Sequence, residues 1–316
     1  MDSVLEKIRM MQAAIETVVR GKSDTVRLSL ICLLSEGHLL IEDVPGVGKT
    51  TLAQAIARSF DCAFRRIQFT SDLLPSDITG VSIFDPSDSK FTFRKGPIFA
   101  NIVLADEINR AAPRTQSALL EAMSEGKVSV DDATRALPRP FMVAATQNPV
   151  EHHGTYPLPE SQLDRFLIRI CMGYPNRGAE KELLRRTDDG YNAENDAVAL
   201  VCTADDIIAA QALVRGIRID ESLLDYLMAI VEATRKSEFL LLGASPRAAL
   251  SLRRAAQANA YIEGRDYCIP DDIKQLAPFV LAHRLTVSAD YSSHHKRSEE
   301  AEAILAEILR SIEIPL

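Results

Sequence analysis

Lys49 and Thr50 follow two glycines in the run Ile41-Glu-Asp-Val-Pro-Gly-Val-Gly-Lys-Thr-Thr51. That spacing suits a polyphosphate. Pro45, Gly46, Val47 and Gly48 form a turn whose glycines let the backbone approach an anion closely, and the amides that open the following helical segment, through Thr51, face it. Lys49 adds a point charge, and the Thr50 hydroxyl offers an oxygen to Mg²⁺. The general pattern GxxxxGK[ST] asks for glycine at position 43, where this chain carries Asp43. An ordinary Gly/Pro turn is the alternative.

Two further polar groups end apolar runs. Ile98 to Glu107 is a nearly continuous apolar segment, of the kind that forms a parallel strand buried on both faces, and it stops at two carboxylates. Asp106 can hold Mg²⁺ and Glu107 can orient and polarise an attacking water; a strand ending in solvated acids is the plainer reading. Phe141 to Ala145 runs into Thr146, Gln147 and Asn148 before Pro149. Ligands bind at the carboxyl ends of parallel strands, so Asn148 can sit beside a γ-phosphate, although Asn-Pro also suits a turn.

Arg247 stands out for a different reason. In Ala244-Ser-Pro-Arg247, Ser245 suits an N-cap and Pro246 the first helical position, which puts a cation in the first turn where the macrodipole disfavours it. A nearby anion would remove that penalty, and a solvent-facing arginine would tolerate it.

Taken together, these segments resemble the MoxR family of AAA+ ATPases. The likeness rests on Glu107-Ile-Asn-Arg-Ala-Ala-Pro-Arg-Thr-Gln-Ser-Ala-Leu-Leu-Glu-Ala-Met123, on Gln147-Asn-Pro-Val-Glu151 and on Gly154-Thr-Tyr-Pro-Leu-Pro-Glu-Ser-Gln-Leu-Asp-Arg-Phe166. It extends from about Val18 to about Leu285. It implies ATP and Mg²⁺ as cofactors, hydrolysis of ATP, and a ring, most simply a hexamer. By the same resemblance Arg165 is an arginine finger supplied in trans, and Arg247 is a second sensor facing the γ-phosphate of its own subunit. Val19 and Gly21, in Val18-Val-Arg-Gly21, match the segment that packs near adenine. Arg110 and Arg114 are further candidates for the face between subunits, with a structural ion pair as the alternative for each. Glu160 and Asp164 would be partners of these arginines.

The family suggests chaperone-like remodelling or activation of protein partners, commonly beside proteins with a von Willebrand factor A domain. A nucleic-acid motor, a metal-chelatase motor subunit and a nucleotide-dependent assembly switch are the alternatives. A net charge of −8 argues against a nucleic-acid partner, which usually leaves a basic footprint. Arg65-Arg66 and Arg253-Arg254 read as solvated or interfacial pairs.

The elements that must position these groups follow from the breaks in pattern. The expected class is α/β, a P-loop AAA+ core over residues 1–174 with a parallel sheet flanked by helices, then a smaller all-α lid over 175–316. Leu73 to Pro97 is hairpin-like and resembles the helix-2 insert of this branch, which reaches toward the ring pore. A second hairpin is expected from Lys127-Val-Ser-Val-Asp131 and a strand beginning near Arg135, after a helix ended by Gly126. A strand is expected from Leu167 to Met172. Helices are expected near Ala179 to Arg186, Ala204 to Val214, Glu221 to Thr234, Pro246 to Ile262, Asp271 to Ala282 and Ser298 to Ile312.

The 47% apolar content is ample for a core, while no run reaches the 18 or more apolar residues of a membrane span. No secretory signal is read at the N-terminus. Five scattered cysteines without a CxxC pair read as reduced thiols in a cytoplasm. His152-His153 and His294-His295 lack partners at metal-ligand spacing.

Overall fold

Five short strands, four of them buried almost throughout, build the sheet. The structure, a computed structural model, describes residues 2–87, 89–131, 133–148, 154–175, 177–178, 180–181, 198–288 and 297–315. Strands β1 (Leu39–Glu42), β2 (Phe64–Gln68), β5 (Ile102–Asp106), β8 (Met142–Gln147) and β9 (Ile168–Ile170) pair in parallel in the order β2-β5-β8-β1-β9. Along β5, Ile102 and Leu104 enter one core cluster, Val103 and Ala105 the other, so the strand is apolar throughout because both of its faces are covered. The apolar run that begins at Ile98 pairs only from Ile102. Its first part is a buried turn in which Ile98 N–H donates to Ile78 O (3.2 Å).

Helices α1 (Asp2–Glu16), α2 (Ser23–Leu34) and α3 (Lys49–Ser59) cover one face of the sheet. In α1 the buried Leu5, Ile8, Met11 and Ile15 recur at helical spacing and form one stripe. The other face carries α5 (Pro113–Glu125), which Pro113 opens and Gly126 (φ 63°) closes through a bond from its N–H to Ala122 O.

Two hairpins rise from this second side. A short helix α4 (Pro75–Thr79) leads into β3 (Gly80–Asp85), which pairs antiparallel with β4 (Lys90–Lys95). Gly80 and Gly96 close its base. A Cβ at Gly80 would lie 2.3 Å from Arg94 O and one at Gly96 2.2 Å from Ile78 O, so neither position admits a side chain. The second hairpin joins β6 (Lys127–Val130) to β7 (Ala133–Ala136), which starts two positions earlier than the sequence suggests. Arg135 stacks on Phe93 at 3.8 Å and ties the two hairpins together.

The region expected as the lid carries α7 (Ala204–Arg215), α8 (Glu221–Lys236), α9 (Pro246–Ile262), α10 (Pro270–Leu281) and α11 (Arg297–Ser311), and α6 (Glu160–Leu163) precedes it. It also carries a small antiparallel pairing of β10 (Leu240–Leu242) with β11 (Thr286–Val287). Most of the helix expected near 179–186 lies outside the described residues.

The lid is not a separate lobe. Ile31 of α2, Ile41 of β1, Leu252 of α9, Leu276 of α10 and Leu305 of α11 belong to one continuous buried cluster. Gln211 Nε2 donates to Leu33 O (2.8 Å) and Arg27 Nη2 to Asn259 Oδ1 (2.7 Å) across the same contact. Each fully buried leucine or isoleucine there contributes about 1.5–3 kcal/mol, which opposes large rotation of this part of the lid. Helix α11 folds back, and its Glu302 pairs with Arg169 of β9, which also bonds Glu42 of β1 (3.1 Å). Among the described residues no helix is long and apolar enough to cross a membrane.

Candidate active site

All five strands run the same way, so one edge of the sheet gathers Asp43, Gln68, Asp106, Glu107 and Asn148. Ligands settle at this edge in parallel sheets. Gly46 and Gly48 hold φ of 86° and 98°, which strains any side chain. Helix α3 starts at Lys49 with Gly48 as N-cap and no side-chain cap. Its first amides are left for an anion. Pro45, Gly46, Gly48, Lys49, Thr50 and Thr51 line an open cleft of ≈ 360 Å³, with Arg66, Gln68, Asp106, Glu107 and Asn148 opposite. Val47 instead turns its side chain into the core, so only its backbone serves the loop.

Asp43, the departure from the general loop pattern, has a structural role. Its Oδ1 accepts from Val44 N–H (2.9 Å), its Oδ2 from Gly173 N–H (2.6 Å), and its carbonyl from Lys49 Nζ (2.7 Å). Its own N–H donates to Gln147 O (3.1 Å). One buried residue thus fixes the loop to β8 and to the turn after β9. A glycine there would lose both carboxylate bonds.

The carboxylates are held from neighbouring strands. Asp106 Oδ1 accepts from the Thr146 hydroxyl (2.6 Å), whose oxygen accepts from Glu107 N–H (2.8 Å). Glu107 takes φ 56°, a costly conformation for a non-glycine residue, and so turns its side chain back into the cleft. Its Oε2 accepts from Gln68 Nε2 (2.7 Å) and faces Arg110 Nε (3.3 Å). Arg110 therefore pairs within its own chain. The Thr50 hydroxyl and Asp106 carboxylate are hard oxygen donors in one cleft, which fits Mg²⁺.

Val19 and Gly21 line a neighbouring cleft of ≈ 760 Å³ with Lys22, Ile170, Met172 and Phe279. The two clefts adjoin at Met172, whose Cε lies 3.9 Å from where a Cβ on Gly48 would sit. Apolar walls beside a phosphate cradle suit a flat heterocycle.

Arg165 and Arg247 lie elsewhere. With Glu36, His38, Asp164 and Arg254 they line a third cleft, of ≈ 180 Å³, which shares no residue with the phosphate cleft. Leu167 N–H donates to His38 O (2.8 Å), so this cleft is at the opposite end of β1 from Asp43. At about 3.3 Å per residue the strand separates His38 from Asp43 by about 16 Å. The expectation that Arg247 faces the phosphates of its own subunit is not met by this placement. The cause is the lid packing on α2 and the bond from Ser245 Oγ to Asp164 Oδ1 (3.0 Å), which draws the start of α9 to the far end of the sheet. Ser245 also caps α9, accepting from Ala248 N–H (3.0 Å).

Arg165 Nη1 donates to Leu120 O and Ser124 Oγ (2.6 Å each), while its buried Nε has no partner among the described residues. Asp164 serves Ser245 and Arg284 (3.6 Å) rather than Arg165, Arg110 or Arg114. Arg114 stands exposed at the start of α5, and Glu160 begins α6. Beneath this cleft, His38 Nδ1 accepts from Val143 N–H (3.0 Å) and Nε2 donates to Met123 O (3.0 Å). Burial holds its pKa down to about 4. The thiols of Cys62, Cys202 and Cys268 are pushed up to about 12, chiefly by burial, which leaves them protonated and unreactive.

Comparison with known proteins gives the family. Residues 38–168 match the ATPase family associated with various cellular activities (AAA), and residues 232–308 match an AAA lid domain. Chaperone MoxR1 of Mycobacterium tuberculosis is 39% identical over 310 residues, covering 95% of this chain and 80% of that protein. The chain belongs to the MoxR family of AAA+ ATPases. The uncharacterized protein YeaC of Bacillus subtilis is 50% identical over 302 residues, covering 96% and 93% of the two chains. A solved crystal structure from Cytophaga hutchinsonii, described as that of a candidate ATPase, superposes with a TM-score of 0.89 at 38% identity, covering 99% of this chain and 96% of that one.

In this MoxR ATPase the structure brings together the phosphate loop, Asp106, Glu107 and Asn148, and sets Arg165 and Arg247 apart. Sequence reasoning missed Arg66, Gln68 and Phe279 as cleft residues, and Thr146 as the buried hydroxyl that joins Asp106 to the Glu107 N–H. Arg66 and Gln68 share one face of β2 by strand alternation, the one local signal available. His152 and His153 lie outside the described residues.

Proposed function

We propose that this protein hydrolyses ATP at a site completed by a second copy of itself, and couples turnover to remodelling of a protein client. The observation that carries the reading is the placement of Arg165 and Arg247 together, at the end of the sheet remote from their own Lys49. In a ring with head-to-tail contacts, that arginine cleft meets the neighbour's phosphate cleft. Arg165 then neutralises charge developing on the transferring phosphoryl group, and Arg247 contacts the same nucleotide from the lid. Both act in trans.

Within one chain, Lys49 and the first amides of α3 hold the phosphates, and Val19, Gly21 and Phe279 border the base. Glu107 orients and polarises the attacking water, with Asn148 beside it. Thr50 and Asp106 would hold Mg²⁺, which would supply positive charge to offset that of the phosphates. A ring of six subunits is proposed on kinship alone.

A protein client is favoured by the relative named Chaperone MoxR1 and by the hairpin β3–β4, which exposes Val81, Ile83, Phe84 and Phe91. Val81 and Ile83 share one face of the hairpin and Phe84 with Phe91 the other, and exposed apolar groups of this kind suit contact with a protein. A protein with a von Willebrand factor A domain is the proposed class of partner, on kinship alone. The test is affinity capture with tagged Glu107→Gln protein in ATP, with ADP as control. The reading expects a specific protein retained in ATP alone. Retention of nucleic acid instead would contradict it.

A further inference from the structure

Both carboxylate oxygens of Asp106 are engaged inside the chain. Oδ1 accepts from the Thr146 hydroxyl (2.6 Å), and Oδ2 accepts from Arg66 Nε (3.1 Å) and Nη2 (2.5 Å). The Asp106 side chain is 13% exposed and that of Arg66 48%. Arg66 comes from the edge strand β2 and lines the phosphate cleft with Lys49 and Thr50.

We infer that Arg66 is a displaceable counter-ion that occupies Oδ2 of Asp106, competes with Mg²⁺ for this carboxylate and sets how much Mg²⁺ is needed to load the nucleotide site. The inference rests on the reading of Asp106 as the magnesium ligand.

Three physical points support it. First, a guanidinium donating two N–H bonds to one oxygen cannot share that oxygen with a divalent cation, because like charges within about 4 Å repel strongly in a partly dehydrated cleft. Second, the guanidinium of Arg66 is half exposed although Asp106 is not, so water can take up the displaced arginine at lower cost than in a fully buried pair. Third, the displaced guanidinium remains in a cleft built for polyphosphate, where its planar fork can pair with phosphate oxygens.

The same side chain reaches the other carboxylate indirectly. Arg66 Nη2 also donates to Gln68 Oε1 (3.0 Å), which leaves Gln68 Nε2 to donate to Glu107 Oε2 (2.7 Å). Departure of Arg66 removes the bond that orients this amide. Loading at Asp106 and release of Glu107 from Gln68 are thereby linked through one arginine.

A permanent clamp would behave in the opposite way. If Arg66 merely oriented Asp106, its loss would disorder the ligand and weaken Mg²⁺ binding. As a competitor, its loss strengthens it. The experiment titrates magnesium chloride against the full chain holding a fluorescent ADP analogue, and reads the half-saturating Mg²⁺ concentration. Arg66→Gln should lower that concentration about fivefold, the scale of a partly exposed charge-assisted pair. Arg66→Lys, which keeps the charge but loses the fork, should fall between the two. An unchanged or raised half-saturation in Arg66→Gln, with thermal unfolding unaltered, overturns the inference. Asp106→Asn separates the underlying reading. If it leaves the Mg²⁺ titration unmoved, Asp106 is not the ligand and the reading itself fails.

Discussion

The two ends of β1 carry opposite electrostatic designs. At the carboxyl end Arg66 pairs with the Asp106 carboxylate and Arg110 with that of Glu107, while Lys49 bonds the carbonyl of Asp43, itself an acid, so three cations stand among three carboxylates. At the amino end, none of Arg165, Arg247 and Arg254 pairs with a carboxylate among the described residues. The acids beside them are already committed, Asp164 to Ser245 and Arg284, Glu36 to Arg139 (3.0 Å) and Arg215 (3.4 Å). One end is a site balanced in itself, and the other holds surplus positive charge. In a chain of net charge −8, such a surplus calls for an anion from outside.

The comparison breaks most visibly at Arg165. Arg165→Ala should lower turnover about 10³-fold while nucleotide affinity stays within a few-fold, since the finger acts on the transition state from another copy. Steady-state turnover beside equilibrium nucleotide binding checks this, and loss of binding would place Arg165 in its own cleft.

A pH series addresses the floor of the arginine cleft. His38 has a folded pKa of about 4 against about 6.5 unfolded, so the unfolded chain binds the extra proton in that window. Stability from this group is complete above pH 6.5 and is lost as pH falls toward 4, by about 3 kcal/mol in all. His283, also lowered by burial, adds to the same slope. Thermal unfolding between pH 7 and pH 4 should show the loss, and His38→Gln should flatten the slope. An unchanged slope would mean that His38 is protonated in the folded chain.

The smallest of these effects concerns binding at the balanced end. Lys49→Ala should weaken nucleotide affinity about 100-fold, the scale of one desolvated charge-assisted contact. Titration with a fluorescent nucleotide decides it. Unchanged affinity would remove the phosphate loop from the account.

Much of the balanced end is legible in the sequence because each functional group ends its own local pattern. Lys49 follows two glycines, Asp106 and Glu107 close an apolar run, and Asn148 follows another. The exceptions depend on partners distant in sequence. Arg65-Arg66 reads as a solvated pair until register with β5 sets Arg66 beside Asp106. Asp43 looks like a defect until Gly173, far along the chain, supplies an N–H for its carboxylate. Arg247 shows its unusual place at a helix start, but not which end of the sheet that helix approaches. That is decided by the lid's packing on α2 and by the Ser245 bond to Asp164, neither of which leaves a periodic signal.

The central claim is that a working site needs two copies of the chain, and subunit mixing tests it most directly. Glu107→Gln protein keeps its arginines but lacks the Glu107 carboxylate, whereas an Arg165→Ala, Arg247→Ala double variant keeps that carboxylate but lacks the arginines. Each alone should turn over little ATP. Mixed in equal amounts, random assembly gives about one interface in four with both halves intact, so activity should return to about a quarter of the unmodified protein. Mixtures no more active than the separate variants would contradict the shared site.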